Sequence, residues 1–330
     1  MTQLSDKVVA NLHADMLAPD LTGTRYDVVR YLARGGMGSV WLVDDRLLHR
    51  QVALKVLDSV ATADDLAVRL LQEARILAGL EHPGIVPVHD AGTLADGRAF
   101  YCMKYVEGET LTQHVVGMSL PDRLRLLERI AEPIDFAHAR GFLHRDLKPD
   151  NIMIGAFGEV LVMDWGLAKI GAADPEERNE IPVTRKSSST ASHVTGEGRV
   201  LGTPGYMSPE QARGDVAVDS RSDIFSLGAI LQFLAKNSEP TNSPPGETSV
   251  PRRLRAIFEK AMAADPKARY QSAREMTADV QHYLNNEPVG AYPESLLERA
   301  GRTYTRHSTA VILVAVYLLM RFLFILWARR

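Results

Sequence analysis

The chain has 330 residues, of which 45% are apolar, and its formal net charge is −3 at pH 7. This length suits one large domain or two modest ones, and the apolar content excludes wholesale disorder. The slightly acidic balance argues against a nucleic-acid-binding protein, which normally carries a basic face.

The single cysteine, Cys102, bears on the compartment in which the protein works. One thiol cannot form an internal disulfide, which indicates a reducing environment. Cys102 lies in the apolar, strand-like run of residues 100–103, so we expect a buried structural residue rather than a nucleophile. We expect no signal peptide, because charged residues interrupt every apolar run near the start.

The chain before residue 110 predicts a strand-rich unit with one helix. Residues 1–24 are mixed and polar, and they indicate a lead-in segment. Short β-type runs, such as residues 52–57, flank a helical pattern over residues 64–80. From about Thr110 onward, the spacing of apolar residues becomes helical.

Two irregular stretches interrupt the later, helical part of the chain. Residues 171–200 are rich in Ser, Thr and Glu without periodicity, which predicts a long loop. Residues 236–251 contain several prolines and predict a second irregular segment, after which residues 254–284 are predicted to be helical.

The last apolar stretch, residues 309–328, is interrupted only by Arg321. Its Leu, Ile, Val and Phe residues contribute about −0.3 to −0.6 kcal/mol each near a membrane centre, against roughly +2.5 to +3.5 kcal/mol for one Arg. We therefore predict a single transmembrane helix, with the alternative of a helix docked on a soluble domain or lying in the interface. Three preceding arginines, at positions 299, 302 and 306, favour a cytoplasmic location for the rest of the chain.

The strongest chemical signal is the stretch from His144 to Asn151, which reads His-Arg-Asp-Leu-Lys-Pro-Asp-Asn and is followed by Asp164-Trp165-Gly166. Two acids and an amide at this spacing suit phosphoryl transfer from a magnesium–nucleotide complex. One acid orients a hydroxyl nucleophile, while the amide and the second acid hold the metal through oxygen.

These motifs resemble the catalytic loop and metal-binding motif of eukaryotic-like (Hanks-type) bacterial serine/threonine protein kinases. The resemblance implies an α+β, bilobal protein-kinase fold for residues 25–285. A small β-rich N-lobe would cover residues 25–104 and a larger helical C-lobe residues 108–285. A juxtamembrane segment, residues 286–308, would lead to the C-terminal transmembrane helix.

Residues 32–40 form a glycine-rich turn that precedes the strand of residues 52–57. Glycine lets backbone amides approach phosphate oxygens closely. The turn resembles the nucleotide-covering loop of kinases, with an alanine where the family has its first glycine. The resemblance implies that the nucleotide contacts Ala33, Gly35, Gly36 and Gly38.

Lys55 and Glu73 form a predicted ion pair. Lys55 lies within a strand, where an unpaired ammonium group is costly. Glu73 shares a helical face with apolar residues, namely Leu66, Leu70, Leu77 and Leu80. A carboxylate on such a stripe needs a cationic partner. The pairing matches an ion pair of the resembled family, which implies that Lys55 binds the α- and β-phosphates.

The resemblance also implies a hinge between the lobes at residues 103–108, where adenine binds. Met103 would be the gatekeeper, and the backbone of Lys104 and Val106 would meet the edge of the adenine ring. The side chains expected to enclose the ring are Val40, Ala53 and Met153.

For the transfer step, the resemblance implies that Asp146 accepts or orients the substrate hydroxyl and that Lys148 neutralises the γ-phosphate. Asn151 and Asp164 would bind Mg²⁺, with Mn²⁺ as an alternative. Thr203 would hydrogen-bond Asp146 and Lys148.

An activation loop is expected between Asp164 and Glu210, and its phosphorylation candidates are Thr195 and Thr190. In the resembled family, Arg145 contacts a phosphate on this loop. Glu210 is expected to pair with Arg269, and Asp223 to cap the backbone of the catalytic loop.

The sequence therefore predicts an ATP- and magnesium-dependent serine/threonine protein kinase that phosphorylates itself on the activation loop. We expect a single-pass protein of the cell membrane, with a cytoplasmic kinase domain, protein substrates and no nucleic-acid partner, and we leave a homodimer open. The short interval at residues 231–251 leaves substrate choice undecided. The alternatives are a pseudokinase that binds ATP as a scaffold and a small-molecule phosphotransferase with a kinase-like fold.

Overall fold

The computed structural model describes most of the chain between residues 18 and 295. The described ranges are 18–34, 38–58, 63–165, 205–215, 218–236, 250–295 and 298–299, with residues 313, 316–321, 324–325 and 327 near the C-terminal end.

Within the described residues, the strand-rich part forms an antiparallel sheet of five strands in the spatial order β1-β2-β3-β5-β4. The strands are β1 (Tyr26–Arg34), β2 (Gly38–Asp45), β3 (Arg50–Leu57), β4 (Val88–Thr93) and β5 (Ala99–Lys104). The helix α1 (Ala63–Gly79) packs against β4 and β5. The predicted strand at residues 52–57 and the predicted helix at residues 64–80 are both confirmed.

Strand β3 is buried on both faces. Its side chains point alternately to the two faces of the sheet, and this alternation determines which of them reach the space between the lobes. Leu54 and Val56 lie in an apolar core on the outer face of the sheet. Ala53 lies in the larger core, which continues into the helical lobe. Because side chains alternate along a strand, Lys55 shares the face of Ala53 and points toward α1.

Cys102 lies in the outer core and is fully buried. Burial raises the pKa of its thiol to about 12, so the thiol is protonated at neutral pH. The predicted structural role of this cysteine is confirmed.

Helices dominate after residue 110, as predicted. They are α2 (Leu111–His114), α3 (Leu120–Ala139), α4 (Pro209–Ala212), α5 (Ser220–Lys236), α6 (Arg252–Ala261) and α7 (Ala273–Leu284). The helix α5 is buried along most of its length and packs against α3 and α6, which makes it the central helix of this lobe. A small sheet has the strand order β6-β7-β8; its strands are β6 (Gly108–Thr110), β7 (Ile152–Gly155) and β8 (Val160–Val162).

The predicted helix over residues 254–284 is wrong in its middle. The helix α6 ends at Ala261, and a short 3₁₀ turn at Pro266–Ala268 separates it from α7. Asp265 accepts a hydrogen bond from the Lys267 N–H, and proline has no N–H to donate to a continuing helix. The proline at position 266 is a helix-breaking signal within the predicted helix.

After α7 the chain folds back onto the helical lobe. The carboxylate of Asp279 accepts hydrogen bonds from the N–H groups of Gly290 and Ala291, at 2.7 and 2.9 Å. Tyr270 donates its hydroxyl proton to the same carboxylate at 2.8 Å. Val289 is buried in the main core, so the chain is held against the lobe as far as this point.

The predicted transmembrane helix, residues 309–328, lies partly outside the described residues. The residues described there are helical, and their large apolar side chains are exposed. In the described part of the chain, no helix has the length and apolar character needed to cross a membrane.

Candidate active site

Lys55 connects the two lobes at the centre of the candidate site. Its Nζ lies 3.0 Å from Glu73 Oε1 and 3.1 Å from Asp164 Oδ1. The predicted pair of Lys55 and Glu73 is therefore present. Tyr101 on β5 donates its hydroxyl proton to the same Glu73 oxygen at 2.9 Å, which fixes the carboxylate. The side chains of Lys55 and Glu73 are buried, while that of Asp164 is 47% exposed.

The electrostatics of this cluster favour a charged lysine. Burial alone would lower the pKa of Lys55, but attraction by the carboxylates of Asp164 and Glu73 outweighs burial and keeps the pKa above its ordinary value. Burial also raises the pKa of Tyr101, so Tyr101 is a neutral phenol at neutral pH. The negative charges that hold the Lys55 ammonium group are then those of the two carboxylates.

The catalytic loop brings three predicted side chains together. Asn151 Nδ2 donates hydrogen bonds to the backbone oxygen and to Oδ2 of Asp146, at 2.8 and 3.1 Å. Lys148 Nζ lies 2.9 Å from the same Oδ2. Because the nitrogen of Asn151 is engaged with Asp146, its amide oxygen remains as an acceptor that bonds no residue in the described part of the chain.

Asp223, on α5, forms hydrogen bonds with the backbone at the start of this loop. Its carboxylate accepts hydrogen bonds from the N–H groups of His144 and Arg145, at 2.9 and 2.8 Å, and lies 2.8 Å from His138 Nε2. The predicted cap on the catalytic loop is confirmed. Burial would raise the pKa of Asp223, but the hydrogen bond and charge of His138, with further help from His144, lower it instead.

Two residues at the site have left-handed backbone conformations that are unusual outside glycine. Arg145 has φ 67° and Asp164 has φ 48°. Such conformations cost roughly 1–3 kcal/mol each and persist where the surroundings determine them. Arg145 directly precedes Asp146, and Asp164 carries the carboxylate that contacts Lys55.

Trp165 anchors the chain directly after Asp164. The indole is 1% exposed, and its Nε1 donates to the Val162 carbonyl at 3.3 Å. Its ring lies 4.8 Å from the His144 ring, at an interplanar angle of 44°. The tryptophan, which stands where the resembled family usually has phenylalanine, thus packs between the metal motif and the catalytic loop.

Glu210 and Arg269 form the predicted buried pair. Arg269 Nη1 and Nη2 lie 2.7 and 2.8 Å from the two Glu210 oxygens, and Ser222 Oγ donates to Oε1 at 2.6 Å. Burial would raise the pKa of Glu210, but hydrogen bonds from Arg269 and Ser222 lower it to about 2.

The residues expected around adenine lie at matching positions of adjacent strands. Ala53 on β3 pairs with Met103 on β5, and Val40 on β2 pairs with Lys55. The N–H and C=O of Val106 make no hydrogen bond to any residue that the structure describes, so both remain open to a ligand.

The remaining predicted nucleotide residues divide between the sheet and the lower lobe. Met153 lies on β7, paired with Thr110. Ala33 and Gly38 lie at the ends of β1 and β2. A Cβ at Gly38 would stand 2.1 Å from the Val56 carbonyl oxygen, so packing between strands by itself requires glycine here.

Several predicted site residues lie outside the described residues. They are Gly35, Gly36, Thr190, Thr195 and Thr203.

Two contributors to the site were missed in the sequence. Tyr101 braces Glu73, and His138 braces Asp223. The period-two alternation of β5 places Tyr101 on the face of Met103, so a signal for Tyr101 existed. Nothing in the helical spacing of α3 distinguished His138 from an ordinary last-turn histidine.

Most of the chain matches one known family. A profile described as "Protein kinase domain" matches residues 26–289. This chain belongs to the protein kinase family. The match covers both lobes and ends at Val289, and together with the relatives below it confirms the resemblance to Hanks-type bacterial kinases.

Relatives of this kinase-family chain include serine/threonine-protein kinases named PknD. The chain is 37% identical over 298 residues to the one from Chlamydia felis, covering 80% of this chain and 31% of that protein. It is 36% identical over 297 residues to the one from Protochlamydia amoebophila, covering 78% and 30%. The chain therefore spans about a third of the length of the curated relatives it matches.

Among solved structures, the kinase-family fold is similar to the PknI kinase domain of Mycobacterium tuberculosis. The similarity has a TM-score of 0.57 at 29% identity and covers 81% of this chain and 98% of that one.

Proposed function

We propose that this protein is a serine/threonine protein kinase that transfers the γ-phosphate of ATP to a protein hydroxyl. The observation that carries the proposal is the simultaneous contact of Lys55 with Glu73 and Asp164. This arrangement holds the positive charge of Lys55 between a carboxylate of the N-lobe and the carboxylate of Asp164. The serine/threonine names of the PknD relatives support the choice of hydroxyl.

In this proposal the nucleotide lies under the glycine-rich turn, against the hinge. Adenine takes up the open N–H and C=O of Val106 and the backbone of Lys104, with Met103 behind it. Lys55 meets the α- and β-phosphates, where its buried ammonium group stabilises negative charge more strongly than it would in water.

The donor set at the site fits a magnesium ion bound together with ATP. The free amide oxygen of Asn151 and the half-exposed carboxylate of Asp164 are hard oxygen ligands, which Mg²⁺ prefers. When bound, the metal would supply positive charge that neutralises the phosphate oxygens. Among the described residues, Lys55 is the one whose hydrogen bond competes for these ligand oxygens, through its contact with Asp164.

For the transfer, the hydroxyl oxygen of the substrate forms a bond to the γ-phosphorus, and the bond from phosphorus to the bridging oxygen of ADP breaks. Asp146 orients the hydroxyl and receives its proton. Lys148, held 2.9 Å from Asp146, offsets charge on the transferred phosphoryl group. Thr203 would complete the alignment of the acceptor.

Purified full-length protein, incubated with magnesium, radiolabelled ATP and a generic basic acceptor protein, tests the proposal. We expect transfer by the wild type and loss of transfer in Asp146→Asn. If neither protein transfers phosphate, yet ATP raises the melting temperature, the protein is a pseudokinase scaffold instead. Phosphate appearing on a small molecule and not on protein would favour the phosphotransferase alternative.

Phosphorylation of the activation loop is part of the proposal. Arg145 lies beside Asp146, and Thr195 and Thr190 follow the metal motif in the Ser/Thr-rich loop. We propose that the kinase modifies this loop itself. Mass spectrometry after incubation with ATP should find phosphate between residues 184 and 203, and an unmodified segment would contradict this.

We further propose that residues 309–328 tether the kinase to the cell membrane, with the kinase domain in the cytoplasm. The described apolar side chains there, such as Leu313, Met320 and Trp327, are 65%, 66% and 74% exposed, which is unfavourable in water. Recovery of the full chain in the soluble fraction would contradict the tether. Self-association as a homodimer stays a prediction, which sedimentation in detergent can test.

A further inference from the structure

Gln211, on the short helix α4, has no role in the transfer step described above, yet its side chain reaches the catalytic loop. Its Nε2 donates a 2.8 Å hydrogen bond to the backbone carbonyl of Arg145. That carbonyl belongs to the peptide group that leads directly into Asp146. A side chain distant in sequence thus contacts the backbone adjoining the proposed catalytic carboxylate.

The Arg145 residue is held at both ends. Its N–H donates to Asp223 Oδ1 at 2.8 Å, and its C=O accepts from Gln211. Its left-handed conformation, with φ 67°, is unfavourable for a residue with a side chain and persists only where other contacts impose it. The two hydrogen bonds are contacts of this kind, and Gln211 provides the one nearer to Asp146.

The amide of Gln211 cannot turn freely, because its oxygen is also engaged. Oε1 accepts hydrogen bonds from the backbone N and the Oγ of Ser208, at 3.2 and 3.0 Å, which closes a capping box on α4. Ser208 is fully buried and also contacts Ser222 Oγ at 3.1 Å. The capping oxygen therefore fixes the direction in which the nitrogen donates.

We infer that Gln211 is a positioning residue for phosphoryl transfer. Through the Arg145 carbonyl it sets the orientation of the peptide before Asp146, and so the place of the Asp146 carboxylate against the acceptor hydroxyl. Because misplacement of a reacting group is costly, the effect falls on the transfer step rather than on nucleotide binding. The inference rests on the proposed kinase activity.

The chain contains a matched control for this inference. Gln113 closes a capping box on α2 in the same way, with Oε1 accepting from Thr110 N at 3.1 Å and from Thr110 Oγ1 at 3.2 Å. Its nitrogen donates to no residue in the described part of the chain. Gln211 and Gln113 thus share the capping contact and differ in the contact with the catalytic loop.

The experiment compares Gln211→Glu with Gln113→Glu in the full-length protein. Glutamate keeps the accepting oxygen of each capping box but cannot donate, so only Gln211→Glu loses a contact with the catalytic loop. Single-turnover transfer to the acceptor protein is measured with saturating ATP, because product release can mask changes in kcat. ATP affinity and melting temperature are measured beside it.

We expect Gln211→Glu to slow single-turnover transfer roughly tenfold, with ATP affinity unchanged, while Gln113→Glu transfers at the wild-type rate. Ser208→Ala, which weakens the cap but keeps the donor, should lose less activity than Gln211→Glu. If Gln211→Glu does not fold, Gln211→Leu replaces it with the same expectation.

A wild-type rate in Gln211→Glu, or an equal loss in Ser208→Ala, would overturn the positioning role. Failure of the wild type itself to transfer phosphate would instead remove the proposed function, and this inference with it.

Discussion

Arg269 Nη1 and Nη2 lie 2.7 and 2.8 Å from the two carboxylate oxygens of Glu210, which joins α4 to the segment after α6. Both side chains are buried, at 0% and 7% exposure. Ser222 on the central helix α5 donates to the same carboxylate, so three separate segments meet at one ion pair.

Arg269→Ala should strongly destabilise the helical lobe. Removing one partner leaves the Glu210 carboxylate buried without its counter-ion, which costs about 3–5 kcal/mol. The exposed Arg274 provides the control, because Arg274→Ala should change stability by less than about 0.5 kcal/mol. Urea unfolding of both variants measures the difference, and equal midpoints would contradict the structural role of the pair.

The same pair predicts a definite pH dependence of stability. The pKa of Glu210 is about 2 in the folded protein, against an ordinary value of 4.5. Between these two pH values the unfolded chain therefore binds more protons at this residue than the folded protein does. Its contribution is fully present above about pH 4.5 and is lost as pH falls toward 2, by up to about 1.4 kcal/mol per pH unit. Glu210→Gln should flatten the stability curve between pH 4.5 and 3. A slope equal to that of the wild type would show that other groups carry the acid response.

Lys55→Met should abolish most of the proposed transfer. Methionine fills the same space but removes the charge that meets Glu73 and Asp164, and loss of one preorganised charge costs roughly 10²- to 10³-fold in rate. Lys267, which is exposed, gives the matched control Lys267→Met. Steady-state kinetics on both variants test this, and a Lys55→Met enzyme with normal kcat/KM would contradict the proposed role.

Asp223→Asn should impair both stability and rate. An asparagine has one accepting oxygen in place of two, so at least one N–H, of His144 or of Arg145, is left buried without a partner at a cost of about 1–3 kcal/mol. Asp219→Asn, near the start of the same helix and partly exposed, should leave the transfer rate unchanged. Melting temperature and single-turnover rate are measured for each variant. If Asp223→Asn matched the wild type in both, the result would contradict the capping role of Asp223.

The bilobal fold was predicted from the resemblance to protein kinases, whereas single elements and the pair of Lys55 and Glu73 were indicated by the amino-acid pattern. Lys55 in a strand and Glu73 on an apolar helical stripe indicate a buried ion pair through the amino-acid pattern alone. Asp146, Asn151 and Asp164 lie in motifs of fixed spacing. The break between α6 and α7 was missed although Pro266 marks it in the sequence.

The supporting contacts could not be predicted for a different reason. The side chain of Gln211 is hydrogen-bonded to the backbone carbonyl of Arg145. A sequence does not indicate the direction of a backbone carbonyl. Tyr101 and His138 act on residues that were predicted, but their partners become evident only when strands and helices are placed in three dimensions.

The burial of Cys102 gives this protein a built-in reporter. A fully enclosed thiol with a pKa near 12 should resist alkylating reagents and peroxide while the sheet is intact. Since the chain has one cysteine, every labelled molecule marks an opening of the outer face of the sheet. The labelling rate therefore reports the unfolding of the strand-rich lobe in a mixture, with no engineered probe.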